Sequence, residues 1–285
     1  MPPFEYRLNL CPDLPDDIKK IAIEQGESEE TRAQKIEEFR NYIHKHNGCQ
    51  PHRTDDEYLM RFLRARYWDI PLSYKLICNY YKFRDQNKSY FEKVRPFELT
   101  YIASKDIVDV TPYRDRCGRR IMIYRFGLWK PSEITTDDIF RATICLLEMG
   151  SMEPINQVVG GIGIFDLQGI SFNHILHLSP SVASKMIALM VTSMPTRVDS
   201  LHIVNQNFIF NAALKIFHPF LDAEMREHLF IHGSNMASLH KHIDPDCLPK
   251  RYGGTLDDFS ATAWIEAIKD DKEVQQQLGK QGYVM

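Results

Sequence analysis

The pattern of apolar and polar positions changes near residue 100. Before that point the chain is charged and follows helical periodicity. The pattern predicts helices that start near Asp16 and cover residues 28–46, 55–69 and 71–87. Residues 47–54, NGCQPHRT, are rich in turn formers and predict a loop. We therefore expect residues 1–100 to form a helical N-terminal domain.

On the predicted helix within 55–69, helical spacing separates two groups of side chains. Tyr58, Phe62 and Ala65 are expected on the buried side. The basic side chains Arg61, Arg64 and Arg66 are expected to reach solvent.

From about Tyr101 the pattern alternates between short apolar runs and helical spacing. The predicted strands are 119–127, 160–169, 200–206 and 229–233, and the predicted helices include 135–153 and 179–195. Alternating strands and helices are typical of an α/β domain with a mostly parallel sheet. Residues 101–285 are expected to form this second domain.

Residues 205–221, NQNFIFNAALKIFHPFL, carry too little polar surface for an ordinary surface helix, and we call them the lid segment. The polar side chains after Phe208 are Asn211, Lys215 and His218, which form one narrow stripe at spacings i, i+4 and i+7. The run is too short to cross a bilayer. Two interpretations stay open at this point: a buried central helix, or a movable cover over an apolar pocket that can dip into a membrane.

Composition narrows the class of protein. The 285 residues carry a net charge of −3, so no global basic field is available for nucleic acid, and we expect no nucleic-acid partner. From the N-terminal residues we expect no signal peptide, and from Pro2 we expect no N-myristoylation. The six cysteines are scattered without a CxxC and are expected to be reduced thiols. These features predict a cytoplasmic protein, with peripheral membrane association open.

Catalytic and metal motifs are weak. GGIG at 160–163 enters a strand rather than opening a helix, and neither a P-loop nor GxSxG occurs. His240, His242 and Cys247 match no structural zinc spacing. Asp166 is expected to hold backbone groups at a loop entry rather than to catalyse. The sequence therefore predicts a protein without enzymatic activity, metal or cofactor.

Several stretches together resemble the CRAL-TRIO lipid-transfer family. They are DDEYLMRFLRARYWDIPLSYKLICNYYKFR, CGRRIMIYRFGLWKPSEITTDDIFR, GIGIFDLQGISF, the run from Ser179 through the lid segment, and LPKRYGG. The resemblance covers residues 15–270 in order and is strongest to the branch that carries tocopherol and retinaldehyde. It implies a helical N-terminal domain, an α/β domain whose sheet floors a closed hydrophobic cavity, and a mobile lid helix over 205–221.

The resemblance also implies which residues contact a small hydrophobic ligand. Matched position by position, these lie on the helix at 135–153, the strand at 160–169, the following loop, the Met-rich helix, the next strand and the lid segment. The implied ligand-binding residues are Phe140, Thr143, Leu147, Phe165, Leu178, Met186, Leu189, Met190, Met194, Leu201, Phe208 and Ile209.

Departures from the family pattern leave the ligand open. Thr143 and Leu147 stand where the tocopherol-carrying branch has serines, so a hydroxyl on the ligand has fewer polar partners. Several methionines replace branched or aromatic residues, which predicts a reshaped and adaptable pocket. Tocopherol, a retinoid, a carotenoid, another isoprenoid and a fatty acid all stay candidates.

The family's phosphoinositide site is a basic rim beside the gate. At matching positions this chain keeps Arg66 and Arg197, whereas Asp199, Glu224 and His228 replace basic residues. Phosphate recognition depends on charge-assisted hydrogen bonds, so the added carboxylates argue against the same site. Arg66 and Arg197 are expected to bind a phosphoinositide, or else to be solvated or paired with Asp199.

Two functions follow from the resemblance and the apolar run. The first is a non-enzymatic carrier that loads or delivers its ligand at a membrane through movement of the lid segment. The alternative is a lipid-sensing regulator or scaffold, in which ligand occupancy controls a protein partner. An enzyme acting on the bound lipid lacks a catalytic constellation in this sequence.

Overall fold

The computed structural model describes residues 6–285 and, at residue 224, the backbone alone; Pro2 lies outside this range. The helices are α1 Asp16–Glu24, α2 Arg32–His46, α3 Asp56–Ala65, α4 Ile70–Gln86, α5 Thr100–Ala103, α6 Thr136–Met152, α7 Pro154–Val159, α8 Phe172–Leu176, α9 Pro180–Ile187, α10 Phe210–Phe217, α11 Ala223–Glu227, α12 Met236–Leu239, α13 Ala261–Ile268 and α14 Lys272–Lys280. The strands are β1 Val108–Arg114, β2 Arg120–Arg125, β3 Gly161–Asp166, β4 Val198–Val204 and β5 Leu229–Gly233.

The five strands form one sheet in the order β1-β2-β3-β4-β5. β1 pairs with β2 in antiparallel fashion, and every other pairing is parallel. The predicted α/β class with a mostly parallel sheet is confirmed. Strand β1 was not predicted, because its run VDVTPYR contains Pro112 and mixes polar with apolar residues.

Helices α1 to α4 begin close to where their sequence signals place them. Asp55 caps α3 by accepting a hydrogen bond from the Tyr58 backbone N–H, and Asp69 caps α4 in the same way through Leu72. Pro71 lies in the first turn of α4, where its missing N–H has no intrahelical partner to lose.

The prediction that Arg61 and Arg64 reach solvent is wrong, because both guanidinium groups are buried. Arg64 donates two hydrogen bonds to Glu27, at 2.7 and 2.8 Å, and a third to Gln157. Arg61 donates to Gln277, on α14, at 3.4 Å. Polar residues far away in the sequence therefore cover the outer side of α3 and pair with its basic groups.

Packing is continuous across the predicted boundary at residue 100. One apolar core joins residues of α2, α3 and α4 to residues of α6, α13 and α14. The C-terminal helices therefore pack on the N-terminal ones, for example where the Gln277 side chain on α14 donates to the Glu57 carboxylate on α3 at 2.9 Å. The division into domains 1–100 and 101–285 stays a prediction.

The helix predicted over 179–195 is shorter and changes geometry. α9 ends at Ile187 and continues as a π-helical segment, Ala188–Ser193, before Pro195. π-Helical turns inside helices are frequently found at functional sites. This segment packs against α4, and its Thr192 carbonyl accepts a hydrogen bond from Asn79.

The lid segment is helical over only part of its length. Asn207 accepts a hydrogen bond from the Ile209 backbone N–H and donates one to the carbonyl of Ile170, which holds the preceding residues in a turn. The helix therefore starts at Phe210, and after Phe217 it gives way to a 3-10 turn that contains Pro219. Among residues 6–285, no helix combines the length and apolarity that crossing a membrane requires.

Candidate functional site

An apolar cavity lies between one face of the sheet, helix α6, helix α9 with its π-helical continuation, and the lid segment. The centre of a water-sized sphere can occupy about 160 Å³ of it. All the empty space between its walls, including the part open to solvent, amounts to about 1240 Å³. The cavity is therefore larger than an ordinary packing defect.

The side chains of four strands form the cavity floor. They are Tyr124 from β2, Phe165 from β3, Leu201 and Ile203 from β4, and Leu229 from β5. Residue 163 on β3 is a glycine, and a Cβ there would lie 2.7 Å from a terminal carbon of Leu201. Gly163 therefore leaves the room into which Leu201 packs on the floor.

Helices and loops supply the remaining wall, which is aliphatic, aromatic and methionine-rich. These residues are Phe126, Trp129, Thr136, Ile139, Phe140, Thr143, Leu167, Ile170, His174, Leu178, Val182, Met186, Ile187, Leu189, Met190, Phe210, Ala213, Leu214, Phe217 and Leu221.

Three near-parallel aromatic rings lie together at one side of the floor. The ring of Tyr124 stacks on Phe165 at 5.1 Å and on Phe126 at 5.7 Å between centroids. Phe126 and Phe165 lie 5.9 Å apart with an interplanar angle of 6°. All three side chains line the cavity and give this side an aromatic, apolar surface.

Polar atoms on the cavity wall are few and mostly satisfied. The Tyr124 hydroxyl lies 3.2 Å from the Thr143 hydroxyl and 2.9 Å from the sulfur of Met122. Burial raises the pKa of Tyr124, so the hydroxyl stays protonated. Tyr124 and Thr143 are thus a neutral hydrogen-bonding pair at the wall.

Both ring nitrogens of His174 have hydrogen-bond partners. Its Nδ1 accepts from the Ser171 backbone N–H at 2.9 Å, so Nε2 carries the proton and donates to the Trp129 carbonyl at 2.9 Å. Among the described wall residues there is no Asp, Glu, Lys or Arg. The described wall therefore offers no carboxylate, lysine or arginine to pair with an ionic ligand.

Eight of the twelve residues implied by the resemblance line this cavity. They are Phe140, Thr143, Phe165, Leu178, Met186, Leu189, Met190 and Leu201. Whether they contact a ligand stays a prediction. The sequence analysis did not identify the floor residue Tyr124 or the lid residues Phe210, Leu214 and Phe217. The apolar run of the lid segment was a signal that could have identified the three lid residues.

The other four residues lie away from the cavity wall. Leu147 lies on the part of α6 that extends beyond the cavity, and Met194 follows the π-helical segment; both are buried in the core that α6 shares with the N-terminal helices. Ile209 is buried just before α10. Phe208 is 74% exposed and turned outward, with its ring 6.2 Å from that of Phe172.

Helix α10 covers the cavity and packs against α9. Its polar stripe, Asn211 and Lys215 with His218 just beyond, is exposed to solvent. Among the described residues, no side chain of α10 forms a hydrogen bond or an ion pair. Apolar contacts alone hold this helix over the cavity.

The entry to the lid segment is fixed by Asp166. Its carboxylate accepts hydrogen bonds from the Gln168 backbone N–H, the Asn205 amide and the Tyr252 hydroxyl. Asn205 has a left-handed backbone, with φ of +55°. Asp166 therefore has the structural role expected for it, and it anchors the point where the chain leaves β4 for the lid.

The two basic residues of the predicted rim are engaged by neighbours other than Asp199. Arg197 donates to Gln25 at 3.1 Å and lies over the ring of Tyr67, and Arg66 donates to the Val191 carbonyl at 3.3 Å. Asp199 pairs with Arg119.

Of the two alternatives, the structure does not show pairing with Asp199: among the described residues Asp199 pairs with Arg119, which precedes β2, and not with Arg66 or Arg197. His228 Nδ1 lies 2.7 Å from the carbonyl of Asp199, and the side chain of Glu224 lies outside what the structure describes. Among the side chains that the structure describes, no group of three or more His, Cys, Asp or Glu is placed to hold a metal ion.

Comparisons with known proteins agree with this geometry. Residues 105–254 match the model of the CRAL/TRIO domain. The chain is 30% identical over 273 residues to "Alpha-tocopherol transfer protein-like" of Mus musculus, and this match covers 96% of this chain and 80% of the relative. It is 32% identical over 256 residues to "Clavesin-1" of Xenopus laevis, and this match covers 89% of this chain and 77% of the relative.

A solved structure shares the fold. The crystal structure of Sfh5 matches with a TM-score of 0.53 and 13% identity, over 87% of this chain and 99% of that one. The sheet, the cavity and the family match over residues 105–254 agree in identifying the fold. This chain belongs to the CRAL/TRIO family.

Proposed function

We propose that this protein is a non-enzymatic, cytosolic carrier of an uncharged, small hydrophobic ligand, which it exchanges at a membrane through movement of the lid segment. The observation that carries the proposal is an apolar cavity, without a carboxylate, lysine or arginine on its described wall, beneath a helix held only by apolar contacts. A binding site for an apolar molecule is typically such a cavity with a few placed polar groups. The family match and the names of the relatives support lipid cargo.

The size of the cavity bears on how a ligand enters. An engineered cavity of about 150 Å³ in another protein binds benzene, so the 160 Å³ here suits a ring-sized group without rearrangement. A complete lipid needs several hundred Å³, so the walls must move outward. Met186 and Met190 have flexible side chains that can repack, and α10 can shift without breaking polar contacts.

The chemistry of the wall favours an alcohol, ketone or aldehyde over an acid. A carboxylate placed among the described wall residues would be buried without a cation, which costs several kcal/mol unless it protonates. The Tyr124 and Thr143 hydroxyls supply one hydrogen-bonding point. Tocopherol, a retinoid, a carotenoid or a related isoprenoid fits this wall, whereas a fatty acid fits less well.

An exposed apolar patch beside the lid segment supports membrane exchange. Phe172, Leu176 and Phe208 are 61, 83 and 74% exposed. We propose that this patch inserts into the interface of a membrane when the lid segment opens. A phosphoinositide at Arg66 and Arg197 belongs to the same proposal only as a weak contribution, because Arg197 is engaged by Gln25 and Tyr67.

Native mass spectrometry of protein incubated with lipid extract tests ligand loading. The wild type is expected to carry one uncharged lipid. Met190→Lys is expected to abolish loading while far-UV circular dichroism stays unchanged, because an unpaired lysine would enter the wall. Met285→Lys, at an exposed methionine outside the cavity, is the matched control and should load normally. Equal loading by all three proteins would contradict the proposed binding site.

Transfer between vesicles separates a carrier from a lipid sensor. A carrier accelerates movement of a fluorescent retinoid or tocopherol analogue from donor to acceptor vesicles. Phe208→Asp should slow transfer without lowering equilibrium loading, because it adds charge to the exposed patch and leaves the cavity intact. Stable loading without accelerated transfer would instead favour a regulator or scaffold that responds to ligand occupancy.

A further inference from the structure

Two thiols lie side by side in the N-terminal helical region, away from the cavity. Cys49 is in the loop between α2 and α3, and Cys78 is in the middle of α4. Their sulfur atoms share a hydrogen bond at 3.2 Å, and both side chains are half-buried. Of the other cysteines, Cys11 and Cys117 are exposed and Cys145 and Cys247 are buried.

The loop that carries Cys49 is held against α4 by its own backbone. Asn47 ends α2 in a left-handed conformation, with φ of +49°. The Gly48 N–H then donates to the Tyr74 hydroxyl at 2.7 Å. A Cβ on Gly48 would lie 2.4 Å from that hydroxyl oxygen, so glycine permits this close approach. Because Tyr74 is one helical turn before Cys78, the same contact places Cys49 over Cys78.

We propose that Cys49 and Cys78 form a site of reversible disulfide formation, which closes when the protein meets a hydroperoxide. The bond length of a disulfide is about 2.05 Å, so the two sulfurs must approach by roughly 1.2 Å from their hydrogen-bonded distance. Cys49 lies in a loop, which can make this adjustment more easily than the centre of a helix. The proposal does not depend on the proposed carrier function.

The chemistry has two steps. The thiolate of one cysteine attacks the O–O bond of the hydroperoxide, which gives a sulfenic acid and releases an alcohol, or water when hydrogen peroxide is used. The second thiol attacks the sulfenic sulfur, forms the S–S bond and expels the hydroxyl, which leaves as water with the thiol's proton. Two thiols and one hydroperoxide thus give one disulfide, one alcohol and one water.

The environment distinguishes the two cysteines. Burial, together with the hydrogen bond to Cys78, raises the pKa of Cys49 to about 12. Because Cys49 lies in a loop that can carry its sulfur onto a sulfenic acid fixed on α4, we assign the first attack to Cys78. Cys49 then resolves the sulfenic acid.

Titration of the reduced full-length protein with hydrogen peroxide tests the site. After alkylation of the remaining thiols, mass spectrometry should show loss of two alkylation sites and a proteolytic peptide in which Cys49 is linked to Cys78. Dithiothreitol should restore both thiols. The cross-link should also raise the Tm by roughly 5 °C, since it restricts the unfolded chain.

Cysteine-to-serine variants test which thiol attacks the hydroperoxide and which thiol then attacks the sulfenic acid. Cys11→Ser with Cys117→Ser, which removes the exposed thiols, should still form the linked peptide. Cys49→Ser should leave a sulfenic acid at Cys78 that dimedone labels, and Cys78→Ser should leave Cys49 unoxidised. Oxidation of Cys11 and Cys117 in the wild type without a linked Cys49–Cys78 peptide would overturn the proposal, and this observation needs no variant to fold.

Discussion

The two faces of the sheet differ in how completely their side chains are packed. On one face, Ile162 and Ile164 of β3 and Val204 of β4 are buried in a dense core with Leu239, Leu248 and Tyr252. On the other face, Phe165 of β3 and Ile203 of β4 border the cavity.

Successive residues of a strand point to opposite faces, so neighbours one position apart belong to different environments. One face therefore contributes chiefly to stability, and the other gives up contacts to leave room for a ligand.

The largest expected effect comes from a matched pair of isoleucines. Ile164→Ala should lower the free energy of unfolding by about 2–5 kcal/mol, because Ile164 is fully buried in the dense core. Ile203→Ala should lower the free energy of unfolding by at least about 1 kcal/mol less than Ile164→Ala does, since part of the Ile203 side chain already faces empty space. Urea denaturation monitored by fluorescence gives both values.

Ligand loading provides the complementary readout for the same pair. Ile203→Ala should change the amount or identity of the lipid that the protein retains, whereas folded Ile164→Ala should load as the wild type does. If the two variants lose the same stability and load alike, the two faces are not distinct in the way that their packing indicates.

The residues that could be predicted from sequence are those whose signals are local. Apolar spacing predicted the helices that became α6 and α9, whereas the family resemblance, matched position by position, assigned Phe140 and Met190 to the wall. The same periodicity could not exclude Leu147, because it lies one turn beyond Thr143 on α6, where the helix has already passed the cavity. Helical spacing assigns a side of a helix but says nothing about what packs against each turn.

Contacts between residues far apart in the sequence were the second feature that the local pattern could not predict. Arg61 and Arg64 have the sequence spacing of an exposed stripe, yet Gln277 and Glu27 cover them. Nothing near residues 61–64 indicates that α14, more than 200 positions later, packs there. Strand β1 and the antiparallel edge were missed for a related reason, since pairing with β2 defines that strand more than its own composition does.

The dense face also carries a histidine cluster that should respond to pH. His202 is buried, contacts His232 at 3.0 Å and the Ser200 hydroxyl at 3.0 Å, and stacks on Phe230. Burial, reinforced by repulsion from His232, His242 and Arg119, lowers the pKa of His202 to about 3. The folded protein therefore holds this imidazole neutral at pH values where the unfolded chain protonates it.

Because the unfolded state binds more protons below pH 6.5, the contribution of His202 to stability is lost as the pH falls from about 6.5 toward 3. We expect the stability difference between the wild type and His202→Gln to shrink by about 1 kcal/mol per pH unit between pH 6 and 4. The comparison with a variant is needed because Asp109, whose pKa burial raises to about 7, acts in the opposite direction. The exposed His228→Gln is the control, and a difference that does not change with pH would show that His202 titrates normally.

The smallest effect on stability is expected on the cavity face, at the pair Tyr124 and Thr143. Thr143→Val should cost about 1 kcal/mol, since the Tyr124 hydroxyl keeps its contact with the sulfur of Met122. The double variant Thr143→Val with Tyr124→Phe should have nearly the same free energy of unfolding as the wild type, because no buried hydroxyl of the pair is then left without a partner.

Affinity for a long-chain isoprenoid alcohol should fall roughly fivefold in the double variant, as expected for one lost hydrogen bond. Affinity for the matching hydrocarbon should stay the same, because the apolar wall is preserved. Equal losses for the alcohol and the hydrocarbon would mean that the ligand is recognised by shape alone and that its polar end lies elsewhere.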